Sequence, residues 1–297
     1  VQFLSYLNDL SPVSIHNIAD KNKFNYLDPA KYGKILKLFS IGHTSLVLKE
    51  PYLRRSYQSK RNVTEILAEG FVNTIILALV AMAFAIITGI AIGIVCAIYK
   101  NSFVDRAALL FSVLGMSLPS FFVAILNAWI FAFVLVRFTG LNMSGSLYSV
   151  DDFGRGSFLE LKNLVLPAIT LGIRPLAIIV ELTRNSLLDV MTQDYIRTAK
   201  AKGLSKPRII LKHALKNAMN PVVTAISGWL ASLLAGAVFV EFVFDWKGIG
   251  VVIVNALDKY DFPVVMGAVL FISIILIVIN FFVDIIYGLL DPRIRMQ

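Results

Sequence analysis

Apolar residues in this chain gather into long uninterrupted runs, and the charges are confined to the stretches between them. No charged residue occurs between Glu69 and Lys100, or between Arg106 and Arg137. A third apolar segment, from Leu164 to Val180, is broken only by Arg174. Asn217 to Val240 and Phe262 to Val283 are also uncharged. Crossing a bilayer takes roughly 20 apolar residues, and lipid offers the backbone no hydrogen-bond partner, so each run is expected to be a helix. The runs are continuous rather than alternating, which excludes a membrane barrel. The pattern predicts an all-α polytopic membrane protein with five spans, at about 70–99, 107–136, 164–188, 218–240 and 262–288.

Composition agrees with this reading. Hydrophobic residues make up 57% of the chain and charged residues 16%, against about a quarter charged in soluble domains. The net charge of +9 is expected to orient the spans rather than bind nucleic acid. Basic residues in short loops mark the cytoplasmic side. Lys100 and Arg106, the series Arg184, Arg197, Lys200, Lys202, Lys206, Arg208, Lys212 and Lys216, and Arg293 and Arg295 all fall on one side. Arg137, Arg155, Lys162, Lys247 and Lys259 fall on the other. Residues 1–65 are then an extracytoplasmic polar segment, 66–291 the transmembrane domain, and 191–217 a cytoplasmic loop. The chain begins at Val1 without a methionine, and either a cleaved signal or a further helix is expected ahead of it. Cys96, the single cysteine, lies within the first run and has no intrachain partner. His16, His43 and His213 lack metal-ligand spacing, so no metal site is expected.

The cytoplasmic loop has helical composition. From Asp194 to Pro221 it reads DYIRTAKAKGLSKPRIILKHALKNAMNP, dominated by good helix formers. Gly203 is placed to end one short helix; Ser205 can cap the next, with Pro207 in its first turn. Ile209, Ile210, Leu211 and Leu215 lie between basic residues. Two readings fit: a basic amphipathic element resting on lipid head groups, or a rigid knob whose apolar residues enter a cleft on a partner.

The same stretch resembles the coupling loop of bacterial ABC importer permeases. In the general family motif, E-A-A-x-x-x-G, the matching positions here are Arg197, Thr198, Ala199 and Gly203. The replacement of the leading Glu by Arg197 is similar to the B-type permeases of the oligopeptide, dipeptide and nickel branch. His213, Ala214, Leu215, Lys216, Asn217, Ala218 and Pro221 also resemble that branch. So do Arg55-Ser56-Tyr57 and Val63-Thr64-Glu65, Ser117-Leu118-Pro119-Ser120-Phe121, and Leu182-Thr183-Arg184 with Ser186-Leu187-Leu188. Glu241, Phe244, Trp246, Gly248 and Gly250 match a family loop that usually has Pro where this chain has Lys247. Asp284, Tyr287 and Leu290-Asp291-Pro292-Arg293 match the family's ending. Members have six helices, and Val1-Gln2-Phe3-Leu4 resembles the part that follows the first.

The resemblance implies half of a translocation pathway in a multi-pass protein of the inner (cytoplasmic) membrane. A second homologous permease, two ABC ATPase subunits and an extracytoplasmic substrate-binding protein are the implied partners besides the lipid bilayer. The binding protein would dock on Asn142–Glu160, Phe242–Asp261 and the N-terminal segment. This chain has no G-x-x-x-x-G-K-[ST] phosphate loop, so ATP and Mg belong to a partner ATPase and no cofactor is expected here. Coupling to the ATPase is assigned to Asp194, Tyr195, Arg197, Thr198, Ala199, Lys202, Gly203, Leu204, His213, Leu215 and Asn217. Small Ala199 and Gly203 would permit close approach, and Leu204 or Leu211 would anchor it.

Candidate pathway residues are Ser117, Pro119, Arg174 and Glu181. A charge inside a span is costly and often functional. Arg174 either pairs with an acidic side chain or freed carbonyls, or lines the pathway and meets a peptide carboxylate. Glu181 lies near the same helical face. Glu241, Trp246, Gly248 and Gly250 are assigned to the extracytoplasmic loop. Peptide is the default substrate, and a nickel or other small-solute importer shares the architecture. An ion-coupled secondary transporter would bring internal repeats and several midplane charges, which the sequence lacks. A membrane enzyme would need a reactive constellation, which is also missing. A non-transporting scaffold fits poorly with an intact coupling loop.

Overall fold

A computed structural model describes residues 2–20, 23, 25–150 and 156–290. Val1, Arg155, Asp291, Pro292, Arg293 and Arg295 lie outside the described residues, so the closing motif and part of the orientation count do too. In chain order the elements are α1 (Gln2–Leu10), β1 (Val13–Asn17), α2 (Pro29–Tyr32), β2 (Ile35–Ile41), β3 (Thr44–Lys49), α3 (Val63–Ile98), α4 (Phe103–Ser117) and α5 (Ser120–Asn127). A π-helical turn (Ala128–Val134), α6 (Val136–Thr139), β4 (Tyr148–Val150), β5 (Ser157–Leu159) and α7 (Lys162–Val190) follow. The remainder is α8 (Asp194–Ala201), α9 (Lys206–Arg208), a second π-helical turn (Ile209–Ala214), α10 (Leu215–Ala218), α11 (Asn220–Gly236), α12 (Val238–Val243), α13 (Ile249–Asp258) and α14 (Phe262–Leu290).

The protein is mostly helical rather than all-α. A three-stranded antiparallel sheet ordered β1-β3-β2 and a β4-β5 hairpin lie in the segments expected to be loops. The signal was the period-two alternation of Val13-Ser14-Ile15-His16, which is strand spacing, and the short apolar run Leu46-Val47-Leu48. Among the described residues, three helices are long and apolar enough to cross a membrane: Val63–Ile98, Lys162–Val190 and Phe262–Val283. A fourth candidate is a bent pair, Phe103–Ser117 with Ser120–Val134, at 115°. The run at 107–136, expected as one span, is therefore divided. Leu118 precedes a proline and is pushed to extended backbone, ψ 138°. Pro119 follows at ψ 138°, and the helix cannot continue through them. The 218–240 run is likewise carried by two helices, α11 and the short α12.

The chain forms two compact units. One comprises the residues up to Glu69 together with Val252–Phe271. Val47 of its sheet is buried with Leu27 and Tyr32, but much of the rest is inverted relative to a soluble domain. Ser14, His16, Ser45 and Lys49 are buried, whereas Val13, Ile15, Leu36, Phe39, Ile41 and Leu48 face outward. Buried Asp9 organises the polar side. It accepts from the Tyr32 hydroxyl (2.6 Å), Lys31 Nζ (3.0 Å) and Arg54 Nε (3.1 Å). Burial alone would raise the Asp9 carboxyl. The hydrogen bonds from Tyr32 and Lys31 and the charges of Lys31 and Arg54 outweigh it and hold the group below its ordinary value. Burial lowers Lys49 to about 8. In the same unit Val63 and Leu67 pack on Ala256, Val264 and Ala268, and Asp261 accepts from the Ser56 hydroxyl and the Tyr57 amide.

The other unit, Gly70–Val251 with the chain from Ile272 on, is built on α3, α7 and α11. Small residues let α3 and α7 approach closely, as membrane helices do. A Cβ at Gly93 would sit 2.6 Å from Thr183 Cβ, and one at Gly172 would sit 2.8 Å from the Ala81 carbonyl. A largely apolar core runs from Leu77, Ala81 and Met82 through Leu164 and Leu171 to Val240, Phe244 and Trp246. At one end of α7, Arg184 makes a bidentate pair with buried Asp105 at 2.5 and 2.8 Å.

Candidate functional site

The loop at 191–217 folds back on the helices it connects. On α8, Ile196 and Ala199 occupy one face and are buried, with Ala199 7% exposed. They pack with Ile209, Ile210, Ala214, Ala218 and Leu187, bordered by Ile94 and Ala97 of α3. Ala199 therefore makes the close approach inside this chain instead of presenting a small surface to a partner. Gly203 has φ +75°, the left-handed conformation that ends helices cheaply only at glycine or asparagine. Its amide donates to the Lys200 carbonyl, and Leu204 N donates to Ala199 O at 3.3 Å. Ser205 stands at the N-cap of α9, but its side chain makes no capping hydrogen bond. Its carbonyl takes the Ile209 amide instead. Pro207 occupies the first turn as expected.

The loop is cross-braced. Asn217 Nδ2 donates to the Tyr195 hydroxyl at 2.8 Å, joining α10 to α8. Arg197 donates to Asp194 at 3.3 Å, with both side chains largely exposed. Thr198 Oγ1 donates to the Asp194 carbonyl. Leu204, His213 and Leu215 are half-buried, and Lys202 is exposed beside Gly203. Of the apolar residues in the second half, Ile209 and Ile210 face inward and Leu211 is 61% exposed. Lys206, Arg208, Lys212 and Lys216 of the same stretch are exposed as well.

The candidate pathway residues do not converge. Ser117 is outward-facing and donates to the Val113 carbonyl. Pro119 is exposed at the helix break, and Glu181 is half-buried further along α7. Arg174 donates from Nη2 to the Leu118 carbonyl at 3.1 Å. A cavity of about 50 Å³ opens beside it, lined by Leu118, Ser120, Thr170, Trp229 and Ser232 among others. Trp229 and Ser232 were not singled out from sequence, because only the fold brings α11 to the break.

Glu241 is fully buried on α12. It accepts from Thr74 Oγ1 at 2.7 Å and from the Gly250 amide at 2.6 Å, and Thr74 Oγ1 accepts from Ile249 N at 3.0 Å. Trp246, also buried, donates from Nε1 to the Asn73 carbonyl at 3.0 Å. A Cβ on Gly248 would collide with the Glu241 carboxylate, and one on Gly250 would collide with Val238. The two glycines are needed for close approach to a buried acid. Sequence reading found Glu241 and both glycines but missed Thr74, a hydroxyl inside an apolar run.

Solved structures share this helical arrangement. An inward-facing structure of the MetNI methionine ABC transporter superposes at a TM-score of 0.59, with 18% identity, covering 77% of this chain and 97% of that one. An amino acid ABC transporter superposes at 0.54, with 12% identity, over 75% of this chain and 93% of that one. The fold is that of the transmembrane subunit of an ABC transporter. Residues 89–296 match the family described as binding-protein-dependent transport system inner membrane component, and the chain belongs to that family. The dipeptide transport system permease protein of Bacillus subtilis (strain 168) is 41% identical over 236 residues, 80% of this chain and 72% of the relative. Its counterpart in Alkalihalophilus pseudofirmus is 35% identical over 298 residues, 96% of this chain and 87% of the relative. That of Escherichia coli (strain K12) is 38% identical over 259 residues, 81% and 76%. The protein is a multi-pass permease subunit of an ABC importer, and membership in this family entails work alongside a binding protein, an ATPase and a companion permease.

Proposed function

We propose that this permease carries dipeptides or short oligopeptides through the inner membrane, with five spans in this chain, one companion permease and two ATPase subunits. The 191–217 loop is the coupling element on the cytoplasmic side, and residues 1–65, 142–160 and 242–261 receive the binding protein outside. ATP binding draws the ATPase subunits together. The loop moves with them, and α7, which runs into the loop at Met191, transmits the movement. From Arg174 to Met191 the helix rise is roughly 25 Å, so one rigid element links the loop to the cavity at the helix break. The observation that carries this reading is Leu211, exposed in a stretch with exposed Lys206, Arg208, Lys212 and Lys216, on a loop braced by Asn217–Tyr195. Peptide as cargo follows from the dipeptide permeases it is similar to.

The test is reconstitution of the four-chain complex in liposomes, with ATP and the binding protein on opposite sides. Dipeptide should accumulate only with both present. Accumulation of nickel but not dipeptide would move the cargo to the other solute of this branch, and uptake driven by an ion gradient without ATP would contradict the reading.

A further inference from the structure

We propose that the cavity at the α4–α5 break is a carboxylate subsite in the translocation pathway, holding the C-terminal carboxylate of a passing peptide; this rests on the peptide-permease reading above. Arg174 lies within an apolar span, where a guanidinium is costly without a counter-charge. Among the described residues it makes no ion pair, and its recorded hydrogen bond goes to the Leu118 carbonyl. Its Nε is buried without a partner. Buried donors are normally satisfied, so Nε is the guanidinium donor that lacks an acceptor here.

The helix break supplies a second feature of the same sign. α5 starts at Ser120, and its first-turn amides have no acceptor within their own helix. Phe122 and Val123 both turn to the Pro119 carbonyl, which leaves the Ser120 and Phe121 amides as the free donors of that turn. An N-terminus of this kind carries partial positive charge and favours anions, and broken helices in transporters present such ends to anionic groups of the substrate. Leu118, Ser120 and Arg174 line one cavity, with Thr170 and Ser232 adding hydroxyls and Trp229 an aromatic wall. Its volume, about 50 Å³, leaves room for a carboxylate group beside the guanidinium.

The experiment compares alanyl-alanine with its C-terminal amide in the reconstituted complex. Each peptide is preloaded to equal occupancy on the binding protein, so that selection by that protein cancels. The wild-type complex should move the free acid about ten- to a hundredfold faster, the range of a charge-assisted hydrogen bond. Arg174→Gln should bring the ratio close to one, and Arg174→Lys should restore part of it. A wild-type ratio near one overturns the subsite without reference to any variant, which covers the case in which the variants fail to assemble. An unchanged ratio in Arg174→Gln also overturns it. Equal slowing of both peptides by Arg174→Gln, with the ratio kept, would assign Arg174 to holding the helix break. Failure of the wild-type complex to move either peptide overturns the peptide reading itself.

Discussion

Two arginines on α7 meet opposite treatment. Arg184, near one end, is gripped by both oxygens of Asp105. Arg174, in the apolar middle, holds one backbone carbonyl and keeps a buried Nε unpaired. The first arrangement is complete and does structural work, clamping α4 to α7 at the end that leads into the 191–217 loop. The second is incomplete and draws its net stability from elsewhere.

The difference between them can be broken or sharpened by substitution. Asp105→Ala leaves Arg184 buried without its counter-charge and should cost about 3 kcal/mol of stability, read as a lowered thermal midpoint in detergent. Adding Arg184→Gln should recover part of that loss. Thr74→Val removes the hydrogen bond to buried Glu241 and the one from the Ile249 amide, and should cost about 2 kcal/mol by the same assay. Arg174→Gln forfeits one hydrogen bond while relieving an unsatisfied donor, and should cost under about 1 kcal/mol. A loss at Arg174 as large as that of Asp105→Ala would erase the distinction. The smallest effect is expected from acid at Asp9. Its folded-state carboxyl lies below the ordinary value, so it contributes stability above that ordinary value and loses it as pH falls through the folded-state one. Melting midpoints recorded downward from about pH 6 should therefore fall less steeply in Asp9→Asn than in the wild type.

The sequence made the spans legible because each is a contiguous pattern. The α3, α7 and α14 runs needed only the absence of charge, and Gly203 at the end of α8 needed only local chemistry. What stayed hidden depends on distant partners. The Asp105–Arg184 and Thr74–Glu241 contacts join residues far apart in the chain, and nothing local marks either pair. Pro119 was visible, but the 115° bend depends on what packs on each side of it. Amphipathic spacing pointed to Ile209, Ile210 and Leu211 together, whereas the π-helical turn rotates Ile209 and Ile210 inward and leaves Leu211 out. The N-terminal sheet was missed because its strands are short and set among polar residues, so they stand out little beside the long apolar runs.

Coupling through the 191–217 loop is tested most directly by Leu211→Asp. The side chain is exposed, so the variant should melt with the wild type. Purified in mild detergent with its partner chains, it should lose the ATPase subunits that the wild type retains, and peptide-stimulated ATP hydrolysis with them. Full retention of the ATPase and wild-type stimulation in Leu211→Asp would contradict the assignment and move the coupling contact off this loop.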